Sequence, residues 1–446
     1  MDFRKILKSA SHTREVIIRE GAIEELPAVL GRLFPASGKV VIVADPNTWR
    51  AAGERVGSVL RACGIALDRP LIIDDPALHA EWGFVEMVEA HLASCPEAVP
   101  VAVGSGVIND LVKLSSAHLG RRYVVVGTAA SMDGYVAYGA SITFEGIKQT
   151  FDCPAPLALL MDPGVAAAAP AGLSASGYAD LYAKVPAGAE WIIADALGED
   201  TIHQKAWHCV QDGLGEALSR PAQTALGDVS ATSLLCEGLV MSGLAMQACR
   251  SSRPASGIEH QFSHFWDMEG HTFQGHHVSH GFQVAIGTLV STACLEYLCS
   301  CDLEHLDIDA AVAAWPSWEQ QSARIRQLLS SRSVHCARAL SESLAKYKDA
   351  PAIRAQLERL VSIWPSLRNS ILGRIRPLQI VREDFRLAGA PYEPEMIGIS
   401  RAKLRETFLA IPYMRSRFTG IDVILRAGLM ERVTDYLFGP GGPWEA

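Results

Sequence analysis

The sequence predicts an α/β amino-terminal domain built on a parallel sheet, followed by an all-helical carboxyl-terminal domain. Short β-branched runs alternate with helix-length segments over about the first 165 residues, and such runs vanish after about Leu173. Strand alternating with helix is typical of a doubly wound sheet, in which ligands bind beyond the carboxyl ends of the strands. We therefore predict a domain boundary at residue 170, which gives domains over residues 1–170 and 171–446.

The predicted strands are near-continuous apolar runs, which suit parallel strands covered on both faces. They span residues 40–45, 70–74, 99–104, 123–127 and 157–161. Residues 51–63 and 84–94 have the length and apolar spacing of the helices between them.

The second half is punctuated by prolines that predict helix breaks, among them Pro351, Pro365 and Pro377. Between the halves, the small residues of segment 166–177 predict either a hinge or a buried small-residue helix. The Gly- and Pro-rich tail after Leu437 predicts a disordered end or an oligomer contact.

Composition excludes several classes of protein. The formal net charge of -9 and pI near 5.9 argue against a nucleic-acid-binding surface, which needs a basic patch. No run approaches the roughly 20 apolar residues of a membrane span, and the charged opening residues are no secretory signal. Ten cysteines without a CxxC pair predict reduced thiols, mostly in the core, in a cytoplasmic protein.

Two glycine-containing loops follow adjacent predicted strands. Residues 105–110 lead from a strand into a helix, where backbone N–H groups can approach a phosphate, and residues 128–134 follow the next strand. The alternative for the first loop is a tight turn that needs positive φ at Gly104 or Gly106. Asp45 ends an earlier strand and is placed to accept from an adenosine ribose, or else to cap a helix.

A dense histidine cluster is the strongest chemical signal in the chain. Six of the fourteen histidines lie in residues 257–281. Histidine is the commonest metal ligand and titrates near neutral pH, so the segment predicts a metal or proton-transfer site.

The preferred ligand set combines Asp180 with His260 and His280, because three protein ligands leave an open catalytic position on a metal. A divalent cation there would make the hydroxyl of a bound alcohol acidic enough to lose its proton, and the alkoxide could then pass a hydride from its carbon to a nicotinamide. His264, one turn after His260, would serve as hydrogen-bond donor or proton relay. Two rival sets remain open: His264 as a ligand, and His276 in place of His280.

Three further assignments complete the interpretation of this region. Asp180 lies on an apolar helix, so its alternative role is an ion pair with Lys184 four residues later. His271 and His277 are expected to be loop residues.

At these residues the chain resembles sn-glycerol-1-phosphate dehydrogenases, within the wider group of iron-containing alcohol dehydrogenases, glycerol dehydrogenases and dehydroquinate synthases. The matching segments appear in family order over roughly residues 15 to 290. They are GSGVINDLVK from Gly104, GTAASMDGYVAYGASI from Gly127, SGYADLYAK from Ser176, GIEHQFSH from Gly257 and SHGFQVAIGTL from Ser279.

The resemblance implies a dehydroquinate synthase-like fold, with a dinucleotide-binding domain, a helical metal- and substrate-binding domain and the active site between them. It implies NAD or NADP, one divalent metal (zinc, nickel or iron), and a homo-oligomer. The implied metal ligands are Asp180, His260 and His280, and Asp133 and His264 are implied to contact substrate. Dinucleotide contacts are expected from Gly104, Gly106, Val107, Ile108, Asn109, Asp110, Thr128 and Ser131.

The sequence departs from the family at three places. Ala137 replaces a small hydroxyl residue expected to contact the cofactor, and Pro186 must end or kink the helix that carries Asp180. Residues after about 300 match only loosely.

The expected reaction is the interconversion of dihydroxyacetone phosphate and sn-glycerol 1-phosphate. Lys148, Lys184 and Arg253 are candidate partners of the substrate phosphate. The alternatives are a dehydrogenase of another polyol or polyol phosphate, a dehydroquinate synthase-like lyase, and a non-catalytic nucleotide or metal sensor. No nucleic acid partner and no membrane insertion are expected.

Overall fold

A seven-stranded sheet organises the first part of the chain. The computed structural model describes residues 3–446, apart from the side chains of Arg4 and Ile147. The strands of this sheet run parallel, in the order β1-β9-β6-β5-β2-β3, and β4 also pairs with β2. In chain order the strands of the described part are β1 Glu15–Ile18, β2 Lys39–Ala44, β3 Ala66–Leu67, β4 Leu71–Ile72, β5 Val99–Gly104, β6 Val124–Gly127, β7 Ala140–Phe144, β8 Ile147–Phe151, β9 Ala158–Met161, β10 Thr272–Phe273 and β11 His276–His277.

Helices flank the strands along the chain and make up most of the chain after residue 170. They are α1 Phe3–Leu7, α2 Leu26–Leu33, α3 Pro46–Thr48, α4 Glu54–Ala62, α5 Trp82–Ser94, α6 Gly106–His118, α7 Pro163–Ala167, α8 Ala171–Tyr182, α9 Lys184–Ala196, α10 Gln204–Gln211, α11 Leu214–Ala217, α12 Pro221–Ala225, α13 Val229–Cys249, α14 Ile258–Met268, α15 His280–Ser300, α16 Ile308–Ala314, α17 Trp318–Leu328, α18 Ser333–Lys346, α19 Ala350–Leu372, α20 Leu378–Ala388, α21 Arg401–Ala410, α22 Gly420–Arg426 and α23 Met430–Phe438. The predicted fold class is confirmed.

The central strands are buried on both faces, as their unbroken apolar runs predict. Every residue of β5 and β6 is buried. One face of the sheet packs with α2 and α4 into a core that includes Val40, Val101 and Val124. Each of the five predicted strands is present, with its ends shifted by at most three residues.

Two β-hairpins, β7–β8 and the short β10–β11, and two strands of the main sheet were missed. In the first hairpin, β7 and β8 pair antiparallel around Glu145 and Gly146, which have φ of 51° and 75°. Two adjacent residues with positive φ are typical of a tight hairpin turn. Trp82 packs against Phe144 and Phe151 of the hairpin, at centroid distances of 4.8 and 5.3 Å. Strands β1 and β3 are short and half exposed, so they lack the apolar run that identifies the central strands.

Contacts divide the described chain into two compact units that interleave in sequence. The first contains the residues up to Leu181, Gln204–Ala255 and Leu387–Ala390, and so holds the sheet and α13. The second contains Tyr182–His203, Ser256–Arg386 and Pro391–Ala446, with α14 and α15 among its helices. The boundary at residue 170 marks a change in secondary-structure content and stays a prediction.

The segment predicted as a hinge or a small-residue helix forms two helices. It contains the end of α7 and most of α8, whose residues from Ser174 onward are buried. A Cβ on Gly177 would lie 1.9 Å from the carbonyl oxygen of Ala130, so the absence of a side chain lets α8 pack against the loop after β6. Pro186 lies in the first turn of α9, so the helix carrying Asp180 ends before it, as expected.

Three features of the described chain differ from the sequence expectations. The tail is not disordered, because Trp444 is fully buried and lies under the guanidinium of Arg382 at 5.2 Å, and an oligomer contact there stays a prediction. Pro365 lies inside α19 rather than at a break. Helices α13 and α15 are long and apolar enough to cross a membrane, although 67% and 83% of their apolar windows are buried inside the fold, as in core helices.

Candidate active site

Asp180 is a fully buried carboxylate near the end of α8. Its Oδ2 accepts a hydrogen bond from the backbone N–H of Asp133 at 3.0 Å. Asp133 is itself buried, and its Oδ2 accepts from the hydroxyl of Ser242 on α13 at 2.8 Å. A buried carboxylate is costly unless it is paired or bound to a metal, so this arrangement suits a ligand better than a surface role.

Helix α14 carries His260 and His264 one turn apart. The Nδ1 atom of His260 lies 2.8 Å from Oε1 of Glu259, which is fully buried. With Nδ1 used in this way, Nε2 is the nitrogen that would bind a metal. His264 is half-buried, and its ring centroid lies 6.4 Å from that of His260.

His280 is the first residue of α15, and its ring centroid lies 5.2 Å from that of His260. Its Nδ1 lies 3.1 Å from the hydroxyl of Ser263, which again directs Nε2 to a metal. Both imidazoles are therefore oriented by side chains of α14, one by a carboxylate and one by a hydroxyl.

The structure brings the preferred ligand set together. Ligand atoms of Asp180, His260 and His280 all lie within 4.8 Å of one another. One carboxylate oxygen and two imidazole nitrogens suit zinc or iron and leave room for a substrate oxygen. In the rival set that replaces His280 by His276, the replacement histidine is exposed on β11.

Of the two histidines expected in loops, His271 lies in one, between α14 and β10, and its Nε2 lies 2.7 Å from the carbonyl oxygen of Ile397. His277 is exposed on β11, a two-residue strand rather than the predicted loop.

The two glycine loops begin side by side. Gly104 of β5 is the register partner of Gly127 of β6, and both strands end there. Helix α6 begins at Gly106, and no side chain caps its first turn, so the backbone N–H groups of Gly106, Val107 and Ile108 are placed to bind a phosphate.

The alternative that Gly104 or Gly106 needs positive φ is wrong. Neither residue has positive φ, and the reason for a glycine at each position is steric. A Cβ on Gly104 would lie 2.6 Å from the Cβ of Ile108, and one on Gly106 would lie 2.8 Å from Cε of Met132.

Two of the predicted dinucleotide contacts have side chains engaged in the interior. The amide of Asn109 accepts from the hydroxyl of Tyr123 at 2.9 Å and donates to Asp110 at 3.1 Å. Asp110 also accepts from the N–H of Ser141 and lies 3.4 Å from Nζ of Lys113. Burial raises the pKa of its carboxyl, and the nearby ammonium opposes that shift.

Asp45 caps a helix, as its alternative interpretation has it. Its Oδ1 accepts from the N–H groups of Asn47 and Thr48 at 2.8 and 3.1 Å, and its Oδ2 accepts from the Thr48 hydroxyl. A ribose contact by this carboxylate stays a prediction.

The loop after β6 is fixed from several sides. Thr128 and Ser131 are buried within it. The ammonium of Lys113 is buried and donates to the carbonyl oxygens of Gly134, Ala137 and Gly139 at 2.9, 3.3 and 3.0 Å. Ala137, which replaces a hydroxyl residue, therefore contributes its backbone to this clamp.

Sequence reasoning missed the residues that support the site. Glu259, Ser263 and Lys113 lie inside segments that carry the family resemblance, but no role was assigned to them. Ser242 lies outside those segments and is found only from its tertiary contact.

The candidate phosphate partners differ in exposure. Lys184 and Arg253 are buried, at 0% and 3% exposed, whereas Lys148 is half-buried on β8. Buried cations of this kind need an anionic or polar partner.

Comparison with known proteins gives a matching family model, curated relatives and solved structures of the same fold. Residues 17–170 match the family model described as iron-containing alcohol dehydrogenase. A glycerol-1-phosphate dehydrogenase [NAD(P)+] of Halalkalibacterium halodurans is 32% identical over 57% of this chain and 64% of its own length. One of Bacillus velezensis is 32% identical over 64% of this chain and 72% of its own length. These alignments thus span about two thirds of the relatives.

The fold extends further than the sequence similarity. A crystal structure of a probable glycerol dehydrogenase from Sinorhizobium meliloti superposes with a TM-score of 0.59 at 18% identity, over 95% of this chain and 96% of the other. Together with the ligand set and the two glycine loops, these similarities place the protein: the chain belongs to the glycerol-1-phosphate dehydrogenase family of iron-containing alcohol dehydrogenases.

Proposed function

We propose that the protein is a metal-dependent, NAD(P)H-linked oxidoreductase that interconverts dihydroxyacetone phosphate and sn-glycerol 1-phosphate. The observation that carries the proposal is the grouping of Asp180, His260 and His280, with both imidazoles oriented through Nδ1. The names of relatives at about 32% identity support the substrate.

These three residues would hold a divalent cation, which would supply Lewis acidity to the oxygen at the reacting carbon. A bound NAD(P)H would supply the hydride for reduction of the carbonyl carbon, and the oxygen would take up a proton. His264 is the proposed proton donor, directly or through a water molecule. The carboxylate of Asp133, held by Ser242, accepts a hydrogen bond from a substrate hydroxyl and so fixes its orientation.

The dinucleotide is proposed to lie at the carboxyl ends of β5 and β6. The uncapped N–H groups at the start of α6 would hold its pyrophosphate, because the helix dipole favours an anion there. Gly104 lies against Ile108 of α6, and Gly106 lies against Met132. The part of this loop that would approach the pyrophosphate closely is therefore its backbone. We propose that one of three cations, Lys184, Arg253 or Lys148, binds the phosphate of the substrate.

A second substrate has one observation in its favour. The alignments with the relatives of Halalkalibacterium halodurans and Bacillus velezensis leave more than a third of this chain without a counterpart. Residues outside the alignment can reshape the pocket for the distal part of a substrate. Another polyol or polyol phosphate is therefore the second candidate, and the active site proposed above would serve it unchanged.

The test is a comparison of ketones with the zinc-loaded protein. NADH or NADPH oxidation is measured with dihydroxyacetone phosphate and with unphosphorylated dihydroxyacetone. We expect kcat/KM to be at least about 100-fold higher for the phosphorylated ketone, since an ionic contact to phosphate is worth about 3 kcal/mol. Equal rates would reject the proposed substrate. Release of inorganic phosphate without net NADH oxidation would indicate a lyase instead.

The cell compartment and assembly are proposed on general grounds. All ten cysteines are free thiols, which suits the reducing cytoplasm. A homo-oligomer is proposed from the resemblance alone, and light scattering of the purified protein tests it.

A further inference from the structure

Glu259 is a buried carboxylate to which the reaction proposed above gives no part. Its side chain has no exposure to solvent, and it lies in the first turn of α14, next to His260. Its Oε1 accepts from the backbone N–H of Gly257 and lies 2.8 Å from Nδ1 of His260. One oxygen thus joins the beginning of a helix to an imidazole of the proposed metal site.

The start of α14 is built to hold negative charge. Glu190 of α9, also fully buried, accepts from the N–H of Ile258 at 2.9 Å and from the hydroxyl of Ser291 at 3.2 Å. Two carboxylates therefore lie at the positive end of one helix dipole, which offsets part of the cost of their burial.

Gly257 makes room for both carboxylates. A Cβ at this position would lie 2.1 Å from Oε2 of Glu190 and 3.0 Å from Oε2 of Glu259. Any side chain would displace one carboxylate from the start of the helix.

The second oxygen of Glu259 has no hydrogen-bond partner among the described residues. An unsatisfied carboxylate oxygen in the interior costs stability, so a cap for the helix alone does not explain why a full carboxylate stands here. A serine or an amide side chain would cap Gly257 without that cost. The feature that a carboxylate adds is negative charge at Nδ1 of His260.

We propose that Glu259 is a positioning residue for the metal centre. Its carboxylate holds the proton of His260 on Nδ1, presents Nε2 to the metal and increases the basicity of that nitrogen. Ser263 gives His280 the same orientation without charge. The two imidazoles of the site are thus unequal, and His260 is the stronger donor. The proposal rests on the ligand set of the proposed function, and it is independent of the substrate.

Zinc affinity of the apo-protein tests this inference. The dissociation constant is measured by competition with a chromogenic chelator, without substrate or dinucleotide. Glu259→Ala should bind zinc about 10- to 100-fold more weakly, as is usual when such an outer contact is lost. Glu259→Gln keeps an acceptor for the Nδ1 proton but loses the charge, so its affinity should lie between those of Glu259→Ala and the wild type.

Glu296→Gln is the matched control. Glu296 lies on α15, where its carboxylate accepts from the N–H of Leu378 at 2.9 Å and is hydrogen-bonded to neither imidazole in the described part of the chain. Its zinc affinity should equal that of the wild type. Folding of each apo-variant is followed by circular dichroism, and Glu259→Gln carries the test if Glu259→Ala does not fold.

A spectroscopic readout separates orientation from stability. With cobalt in place of zinc, the ligand-field bands should shift in Glu259→Gln and stay unchanged in Glu296→Gln. Wild-type zinc affinity and an unshifted cobalt spectrum in folded Glu259→Gln would overturn the inference. Failure of the proposed substrate leaves these metal measurements unaffected, so the two proposals fail separately.

Discussion

The backbone N–H of Asp133 donates a hydrogen bond to Oδ2 of Asp180 at 3.0 Å. The loop that carries a proposed substrate contact is thus tied directly to a proposed metal ligand. The bond thus fixes the position of Oδ2 of Asp180. Since a hydrogen bond to a carboxylate is worth about 1.5–3 kcal/mol, displacement of the loop should also disturb the ligand.

Ser242→Ala tests the support of Asp133. The change removes the hydroxyl that donates to Asp133 Oδ2 at 2.8 Å, and the carboxylate loses its fixed orientation. We expect kcat/KM for the ketone to fall about 10-fold, equivalent to about 1.4 kcal/mol, while zinc content stays unchanged.

Ser115→Ala is the control for that variant. Ser115 is equally buried, but its hydroxyl donates to the carbonyl oxygen of Val85 at 2.9 Å, away from the proposed site residues. Ser115→Ala should lower the free energy of unfolding by about as much as Ser242→Ala and leave kcat/KM unchanged. Equal kinetic losses in the two variants would contradict a specific role for Ser242.

Gly177→Ala tests the packing of α8 against the loop after β6. Its Cβ would lie 1.9 Å from the carbonyl oxygen of Ala130, and backbone cannot give way as a flexible side chain does. We expect a loss of about 3 kcal/mol in the free energy of unfolding, measured in urea, together with weaker zinc binding through Asp180. Gly172→Ala, in the exposed first turn of the same helix, meets nothing within 4 Å and should be neutral or slightly stabilising. The prediction fails if the two variants are equally stable.

Particular elements show how much of the fold could be predicted from the sequence. The strands β2, β5, β6 and β9 were predictable because burial on both faces demands unbroken apolar runs. The small residues of segment 166–177 left a hinge and a buried small-residue helix open, and Gly177 of α8 reflects the close packing of the second. Trp444 looked like part of a disordered tail because its partner, Arg382, is 62 residues away in the sequence.

The candidate site, too, could be predicted only in part from the sequence. The histidine cluster singled out residues 257–281, and the resemblance selected the ligands among the alternatives. The supports of those ligands depend on tertiary contacts: Ser242 lies 109 residues from Asp133, and Lys113 acts on a loop more than 20 residues later. Neither periodicity nor spacing in the sequence indicates such contacts, because they form only in the folded chain.

Ligand variants decide between the metal sets. His280→Ala should lose bound zinc and the stabilisation that zinc gives, which at a metal concentration 1,000 times Kd is about 4 kcal/mol. His276→Ala should keep both, because His276 is exposed on β11 and outside the ligand group. Metal content by atomic emission and melting temperature with and without zinc measure the two effects. Loss of zinc in His276→Ala and its retention in His280→Ala would reverse the assignment.

Burial should make most of the native thiols unreactive. It raises the pKa of Cys153, Cys209 and Cys236 to about 12, so at pH 8 only on the order of one in ten thousand of each is thiolate. Cys63 is exposed, and we expect it to react rapidly with Ellman's reagent. Cys63→Ser should therefore remove one equivalent of the fast phase, whereas Cys236→Ser should leave that phase unchanged. In denaturant without reductant, all ten thiols of the wild type should titrate, because none forms a disulfide in the structure. A fast phase that persists in Cys63→Ser and shrinks in Cys236→Ser would show that the interior opens to the reagent on the timescale of labelling.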